Sequence, residues 1–479
     1  MKNERKRTEM RQFFYPGSIA IFGVADTPRN LGKSIILNCQ SAGFKGEIYP
    51  VGRKSGNIYG CEIIAEPESL PMNIDLAVIL IPAKAIPETM KVCGRKGIRH
   101  VVISSGGFKE FNDVDNQVAE DVHAAARQYG VRFIGPNCIG VICTNSCLCT
   151  PFNRFEPQSF KKGKVSVISQ SGGVATQCAY VFSEEHVGFS KIISAGNKQD
   201  INEIDLLRYL IDDADTEQIH LYLESIDDGK ELMRLAKESK KPIVLFKSNV
   251  GQTSSLIAKS HTAALSNNDR VVEGALKQAN IVRVDDIHDM TVCAKALSLP
   301  PLRGNRLVAI SQSGGFAVIL GDLCERYGFE CPELPRKFLD RIESQRRAGV
   351  IRITNPMDLG DIFTIKAVIE MLVDNLSLDN IDGIVLSLIY HERMSLFSLD
   401  DEILTPENIL ENIKPVCERV GKPIALSIFT ERHSIEKFKR IGIFPVFNDP
   451  HESVRALRML GDYWRGRDYN LAHVDVREN

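Results

Sequence analysis

The chain has 479 residues, of which 59 are Lys or Arg and 61 are Asp or Glu, so its formal net charge is −2. Hydrophobic residues make up 43%, which excludes a disordered tail protein and a disulfide-framed secreted module. The balanced charge argues against a nucleic-acid partner, which would favour a basic face. No apolar stretch approaches the ~20 residues that a membrane span needs, and no apolar segment follows the charged start. We therefore expect no signal peptide, no membrane and no nucleic acid.

Twelve cysteines are spread along the chain, and we expect them to be reduced thiols in a cytoplasmic protein. Four of them lie close together: Cys138, Cys143, Cys147 and Cys149. Their spacing matches no common zinc or iron–sulfur pattern. The pattern therefore favours thiols that pack as small hydrophobic groups over a metal site, and we predict no bound metal.

Short apolar runs alternate with helical segments along the chain. In the first third, we predict strands at residues 19–22, 47–51, 76–81, 100–104 and 132–134, with a helix at 33–42. Later strands are predicted at 164–168, 192–195, 220–224, 242–246, 307–310, 383–388 and 423–427. This alternation indicates α/β domains whose parallel sheets bind ligands at the carboxyl ends of the strands.

Two linkers divide the chain into three predicted domains. A polar passage at residues 151–163 and a Pro-containing one at 299–304 give domains at 1–150, 160–299 and 304–479. The second and third domains each carry Ser-Gln-Ser-Gly-Gly after an apolar strand, and Ser169 and Ser311 are 142 residues apart. A repeat of this length is domain-sized, so we predict that these two domains are related.

Each Ser-Gln-Ser-Gly-Gly segment follows a strand and opens a helix, where unpaired N–H groups and the helix dipole favour an anion. A tight turn with a Ser cap is the simpler interpretation of one copy, but two copies weaken it. Facing each other, the two helix starts would bind a phosphoryl group. The predicted phosphate-binding residues are Ser169, Gln170, Ser171, Gly172, Gly173, Ser311, Gln312, Ser313, Gly314 and Gly315.

The first predicted turn, at residues 23–32, lacks the full G-x-G-x-x-G pattern of dinucleotide-binding domains. Arg53 and Lys54 stand where an acidic ribose ligand would follow the second strand. A basic residue there suits a phosphorylated nucleotide better than a bare ribose.

One histidine is a candidate for covalent catalysis. His261 lies among small and polar residues after the strand at 242–246, where a plain surface histidine is the simpler interpretation of the local sequence. A phosphorylated imidazole needs a carboxylate at its other nitrogen. Glu224 ends the strand at 220–224 and would point into the same crevice, unless it is only a solvated strand end.

These motifs together identify a family. The first motifs in chain order are Gly23-Val-Ala and residues 43–51, 81–83, 104–108 and 135–138. The first Ser-Gln-Ser-Gly-Gly follows them, and after it come residues 196–200, 223–224, 260–262 and 355–359. From about Phe14 to about Tyr463, the chain resembles the α subunit of nucleoside-diphosphate-forming acyl-CoA synthetases. This acetate–CoA ligase (ADP-forming) group is related to succinyl-CoA synthetase.

The resemblance implies an N-terminal Rossmann-like CoA-binding domain followed by two flavodoxin-like doubly wound domains. It makes His261 the transiently phosphorylated residue and Glu224 its orienting carboxylate, flanked by the two phosphate-binding helix starts. Carried over onto this chain, the coenzyme A residues are Gly23, Val24, Ala25, Val51, Lys54, Pro82, Ser104, Ser105, Gly106 and Asn137.

The implied reaction has three stages. Phosphate attacks an acyl-CoA to give an acyl phosphate and CoA, His261 takes the phosphoryl group, and a nucleoside diphosphate receives it. The chain holds no G-x-x-x-x-G-K-[ST] motif and no ATP-grasp domain, so we expect a partner β subunit to supply ADP or ATP with Mg. The expected assembly is a hetero-oligomer that acts on a small organic acid and its acyl-CoA.

Departures from the family pattern, including Asn267 where a glycine is common, leave an alternative open. Ala263 replaces a common glycine beside His261, and Ala25 replaces a common serine. A catalytically reduced CoA-binding regulatory or scaffold protein would tolerate these changes, although the intact His261, Glu224 and both helix starts favour an enzyme. A nicotinamide dehydrogenase fits the first domain only and leaves the repeat unexplained.

Overall fold

The computed structural model describes residues 10–108, 116–251, 253–254, 268–344, 353–360, 365–392 and 406–474. The chain divides into two compact units, residues 1–290 and 291–479, which are treated separately below. Among the described residues, every helix is too short or too polar to cross a lipid bilayer.

The first sheet of the first unit has the strand order β2-β1-β5-β6-β7, and all neighbouring strands are parallel. A small antiparallel hairpin, β3–β4, lies beside it in sequence. The strands are β1 (Ser18–Phe22), β2 (Glu47–Val51), β3 (Gly56–Ile58), β4 (Cys61–Ile63), β5 (Leu76–Ile79), β6 (His100–Ile103) and β7 (Arg132–Ile134), and the helices are α1 (Leu31–Ala42), α2 (Ile86–Arg95) and α3 (Asn116–Tyr129).

The second sheet of this unit has the order β14-β13-β12-β10-β11-β8-β9. Its five later strands are parallel, and β8 and β9 add an antiparallel hairpin at one edge. The strands are β8 (Val141–Cys143), β9 (Leu148–Cys149), β10 (Lys162–Ser169), β11 (Phe189–Ser194), β12 (Gln218–Leu223), β13 (Ile243–Lys247) and β14 (Val282–Val284), and the helices are α4 (Gly172–Glu184), α5 (Glu203–Asp212), α6 (Gly229–Glu238) and α7 (Asp269–Gln278). The next helix, α8 (Ile287–Ala296), begins in the first unit and ends in the second.

The second unit contains a third parallel sheet of order β16-β15-β17-β18-β19. Its strands are β15 (Leu307–Ser311), β16 (Met357–Asp358), β17 (Gly383–Ile389), β18 (Ile424–Phe429) and β19 (Val446–Phe447). Its helices are α9 (Gly314–Arg326), α10 (Arg336–Glu343), α11 (Ile365–Leu376), α12 (Pro406–Val420), α13 (Arg432–Ile441) and α14 (Pro450–Val474).

All three sheets share one topology. When their parallel strands are numbered in chain order, each sheet reads 2-1-3-4-5, the order of a doubly wound fold. This confirms the predicted α/β class. Each sheet has one point where the winding changes direction, between β1 and β5, between β10 and β12, and between β15 and β17. Ligands of open parallel sheets bind at such points.

The cysteine-rich segment at residues 141–149 forms the hairpin β8–β9 and extends the second sheet, although the predicted first domain ran to residue 150. Its strands are three and two residues long, too short for an apolar pattern to reveal. Cys138, Cys143 and Cys149 are buried, whereas Cys147 is partly exposed. The exact limits of the three domains stay a prediction.

The first two sheets share a hydrophobic core. One cluster of buried side chains includes Ile19 and Ile134 from the first sheet together with Ile168 and Leu221 from the second. The burial of apolar surface common to both sheets stabilises the first unit as one body.

The predicted linker after residue 150 is held firmly by one buried residue of α1. Asn38 donates from Nδ2 to the carbonyls of Pro151 at 2.8 Å and Asn153 at 2.7 Å, and its Oδ1 accepts from the Phe155 N–H at 3.2 Å. Three linker groups thus have their hydrogen bonds satisfied by a side chain that is 0% exposed.

We predict that Asn38→Ala lowers the free energy of unfolding by about 2–4 kcal/mol, because it leaves several buried backbone groups without partners. Urea denaturation followed by circular dichroism measures the change. Gln40→Ala removes an exposed side chain from the same helix and serves as the control. An equal, small effect of both substitutions would contradict the assigned role of Asn38.

Candidate active site

A cavity of about 540 Å³ opens at the carboxyl edges of the first two sheets. The first sheet contributes Ser104 and Asn137, and the second contributes the turn from Gln170 to Gly173 together with Glu224. Its other lining residues are Cys138, Ile139, Phe152, Asn197, Tyr222, Ser248, Asn249 and Ser254. The fold therefore brings residues from both predicted binding regions to one cavity.

The turn after β10 presents a helix start to this cavity. Ser171 is the N-cap of α4, and its Oγ accepts from the Val174 N–H at 3.4 Å. The Ser169 hydroxyl donates to the Ser171 carbonyl at 2.7 Å, which holds the turn. Helix geometry leaves the N–H groups of Gly172 and Gly173 without intrahelical acceptors. The helix start is therefore suited to an anion.

The Gln170 side chain binds the end of the neighbouring strand. Its Oε1 accepts from the backbone N–H groups of Glu224 at 2.9 Å and Ser225 at 3.1 Å, and its Nε2 donates to Ser225 Oγ at 3.3 Å. This carboxamide thus positions Glu224 beside the helix start. Direct phosphate binding by Gln170 stays a prediction.

A buried lysine joins the two strand ends on the other side of Glu224. Lys247 donates from Nζ to the Glu224 carbonyl at 2.8 Å and also to the Ser248 carbonyl. Burial lowers the pKa of Lys247 from 10.5 to about 8, and its positive neighbours Arg283 and Lys198 act in the same direction. The backbone around Glu224 is therefore held from two directions.

The predicted CoA residues gather at the carboxyl edge of the first sheet. Gly23 has φ +99°, and a Cβ there would lie 2.0 Å from the Leu80 carbonyl oxygen, so only glycine fits. The N–H groups of Gly23 and Val24 both donate to the Val51 carbonyl at 3.0 Å. Eight of the candidates lie at this edge without lining the cavity: Gly23, Val24, Ala25, Val51, Lys54, Pro82, Ser105 and Gly106.

Ser104 and Asn137 are the two predicted CoA residues that line the cavity. Ser104 is 5% exposed, and among the described residues its Oγ makes no hydrogen bond to a nitrogen or oxygen atom, with only the Cys138 thiol beside it. Ser105, in contrast, accepts from the Ile81 N–H at 2.9 Å and donates to the Ile81 carbonyl at 2.5 Å. The Ser104 hydroxyl, which has only a weak thiol neighbour, and the glycine turn at Gly23 fit a ligand at this edge.

A loop of the second sheet pairs with the Asn137 loop of the first. Asn197 donates its N–H to the Pro136 carbonyl at 2.9 Å, and Asn137 Nδ2 lies 3.4 Å from Asn197 Oδ1. The Asp200 carboxylate accepts from the Arg132 guanidinium at 2.9 Å. These bonds place Asn137 and Asn197 side by side at the cavity wall.

The second Ser-Gln-Ser-Gly-Gly copy has different electrostatics. Gln312 Oε1 accepts from the Ile389 N–H at 2.8 Å, so it holds its neighbouring strand as Gln170 does, but isoleucine stands where the first copy has Glu224. A Cβ on Gly314 would lie 2.9 Å from Asp358 Oδ2. This carboxylate disfavours an anion at the start of α9, and phosphate binding by Ser311–Gly315 stays a prediction.

His261, Ala263 and Asn267 lie outside the described residues, so their predicted roles stay predictions. The cavity also contains residues that the sequence did not single out: Asn197, Tyr222, Ser248, Asn249 and Ser254. Three of them had a positional signal: Asn197 lies in a quoted motif, and Ser248 and Asn249 closely follow a predicted strand. No sequence signal marked Tyr222 or Ser254. Among the described residues, no group of three or more His, Cys, Asp or Glu is arranged to hold a metal ion.

We predict that Gln170→Ala lowers the free energy of unfolding by about 1–3 kcal/mol, because two strand-end N–H groups lose their acceptor. Urea denaturation measures the effect. Gln312→Ala removes the corresponding bond to one N–H in the second copy and should cost less. A larger loss for Gln312→Ala would contradict this ranking.

The pKa of Lys247 predicts a pH dependence of stability. The native state releases the Lys247 proton near pH 8, whereas the unfolded chain keeps it to about pH 10.5, so this group makes the protein more stable as pH rises through that window. Lys247→Met should remove this rise, as measured by urea denaturation between pH 7.5 and 10.5. The exposed Lys230→Met is the control, and identical profiles for both variants would contradict the prediction.

Comparisons with known proteins agree with this geometry. Residues 17–144 match the CoA binding domain model, and residues 162–297 match the model of the succinyl-CoA ligase like flavodoxin domain. The chain aligns over 97% of its length with a solved chain named dinucleotide forming acetyl-coenzyme A synthetase 1, from Ca. Korarchaeum cryptofilum, in complex with phosphate and ADP. That chain is covered to 99%, with 25% identity and a TM-score of 0.84.

Two curated relatives are similar to this chain over most of its length. The acetate–CoA ligase [ADP-forming] I of Archaeoglobus fulgidus is 31% identical over 95% of this chain, which spans 64% of that relative's length. The acetate–CoA ligase [ADP-forming] I subunit alpha of Pyrococcus furiosus is 30% identical, over 94% of this chain and 97% of the relative. The chain belongs to the family of ADP-forming acetate–CoA ligases.

Proposed function

We propose that this chain is the CoA-binding and phosphoryl-carrying part of an ADP-forming acid–CoA ligase. The observation that supports this function is a single cavity lined by Ser104 and Asn137 from the first sheet and by the Gly172–Gly173 helix start and Glu224 from the second. Acyl transfer from a thioester and phosphoryl transfer to a histidine need these two regions within reach of one another.

The proposed coenzyme A site lies along the carboxyl edge of the first sheet. Gly23 allows the backbone to approach a ligand closely, and Lys54 is an exposed cation at the end of β2 that suits a phosphate group. Ser104 and Asn137 lie where this edge meets the cavity. In this proposal they contact the thioester end of an acyl-CoA.

In the proposed reaction, a phosphate oxygen attacks the thioester carbonyl carbon, the carbon–sulfur bond breaks, and the CoA thiol leaves. His261 then takes the phosphoryl group from the acyl phosphate, and the organic acid is released as its carboxylate. The start of α4 stabilises the negative charge on the phosphoryl oxygens, and Glu224 orients the imidazole through its second nitrogen. Reversal of these steps forms acyl-CoA.

The nucleotide step requires a further protein part in this proposal. A partner β subunit with an ATP-grasp fold would bind ADP or ATP with Mg and receive the phosphoryl group from His261. The curated names of two Pyrococcus furiosus relatives as alpha subunits support such a division of labour. The substrate would be a small organic acid, and the expected compartment is the cytoplasm.

We predict that phosphate and a suitable acyl-CoA phosphorylate the chain on His261. Acid-sparing mass spectrometry after incubation with ³²P-phosphate and an acyl-CoA panel should find a base-stable, acid-labile phosphate. His261→Ala should abolish it, and Glu224→Gln should slow its formation by about 10–100-fold because the imidazole loses its orienting carboxylate. The most effective acyl-CoA identifies the substrate class.

The exposed His433→Ala is the control for loss of a histidine and should leave phosphorylation unchanged. If no acyl-CoA phosphorylates the chain, the experiment is repeated with the ATP-grasp partner. Failure there, with CoA still bound, would reject the enzyme and support a CoA-binding regulatory protein of the same family.

We predict that the isolated chain forms no ATP from acyl-CoA, phosphate and ADP, and that adding an ATP-grasp β subunit supplies this activity. A luciferase assay for ATP measures it. ATP formed by the isolated chain would contradict the proposed division between two subunits.

A further inference from the structure

Asn249 is a buried residue of the cavity with no role assigned above. It lies two residues beyond β13, is 5% exposed, and lines the same cavity as Glu224 and the Gly172–Gly173 helix start. Neither Oδ1 nor Nδ2 of its carboxamide has a hydrogen-bond partner among the described residues. Buried amides are nearly always paired, so an amide with both ends unpaired requires an explanation.

The backbone conformation of Asn249 is one that glycine would adopt more easily than asparagine. Its φ is +58°, a conformation that glycine adopts without steric cost and that asparagine tolerates better than most residues. Glycine would satisfy the turn and would also avoid burying an unpaired amide. The local fold alone therefore gives no reason for the carboxamide.

No hydrogen bond to a described residue fixes the orientation of the carboxamide. Both of its polar atoms are shielded from solvent in this conformation, and no hydrogen bond to a described residue holds them there. Turning about the side-chain torsions therefore breaks no such bond, and a ligand in the cavity would supply the missing partner. The unpaired state favours this rotation because it relieves a desolvated polar group.

We propose that Asn249 is a phosphoryl-binding residue, whose Nδ2 donates to an oxygen of the tetrahedral anion at the start of α4. The Glu224 carboxylate lines the same cavity and repels an anion, while the helix start attracts it. A neutral amide adds a donor without adding charge near Glu224. This inference rests on the proposed function, because it assigns the ligand of the same cavity.

The test uses Asn249→Gly, which removes the carboxamide and suits the positive φ. With the full chain, the phosphate concentration that gives half-maximal phosphorylation from acyl-CoA should rise about 10–100-fold, the usual effect of losing a hydrogen bond to a charged group. The half-saturating acyl-CoA concentration should stay the same. The thermal unfolding midpoint without phosphate should stay equal or rise.

Two further variants sharpen the result. Asn280→Gly makes the same exchange at φ +55° in a residue that does not line the cavity, so it should leave the phosphate dependence unchanged. Asn249→Asp keeps the shape but adds a negative charge, and phosphate binding should weaken more than in Asn249→Gly. As a measurement independent of turnover, inorganic phosphate should raise the unfolding midpoint of the wild type at lower concentration than that of Asn249→Gly.

The outcomes separate this inference from the function on which it rests. If the wild type is phosphorylated and Asn249→Gly shows the same phosphate dependence, the role of Asn249 is rejected while the proposed function stands. A variant with equally raised requirements for phosphate and acyl-CoA would indicate a general disturbance and also reject it. If the wild type is neither phosphorylated nor stabilised by phosphate, the proposed function fails and the inference fails with it.

Discussion

The hydrogen bonds that the N–H groups of Glu224 and Ser225 donate to the Gln170 carboxamide connect the α4 helix start to the end of β12. In a doubly wound sheet, the loops after the first and third parallel strands diverge to opposite faces, and the gap between them receives the ligand. A side chain that spans this gap fixes both loops at once. The helix start that suits an anion and the carboxylate that suits an imidazole are thereby kept in one geometry.

The cavity also depends on the association of the first two sheets. The two sheets share a hydrophobic core, and hydrogen bonds join the Asn137 loop of the first to the Asn197 loop of the second. These contacts bring the carboxyl edge of one sheet next to the carboxyl edge of the other. In the proposed function, the first edge binds the thioester and the second binds the phosphate anion. Placing Ser104 and Glu224 on the same cavity makes transfer between the two ligands geometrically reasonable.

The two copies of Ser-Gln-Ser-Gly-Gly show how a repeated sequence diverges in chemistry. Both keep the glutamine that binds the neighbouring strand, and this explains its repetition through the fold itself. Only the first copy places a glutamate after that strand, whereas the second has Ile389 there and the Asp358 carboxylate near its helix start. The repeat therefore preserves the architecture more closely than the electrostatics.

Sequence alone determined the α/β class and the longer strands of all three sheets with errors of a few residues, because apolar runs are local signals. It missed the short strands β3, β4, β8, β9, β14, β16 and β19. It singled out Glu224 from the end of its strand, whereas Ser104 and Asn137 came from the family resemblance. The resemblance rested on the order of many motifs. Only the tertiary structure decided that hairpin β8–β9 joins the second sheet and that Gln170 binds backbone groups. It also decided that Asn249 is buried at the cavity of Glu224 with no hydrogen-bond partner for its amide among the described residues. Each of these depends on contacts between distant segments, which no local pattern encodes.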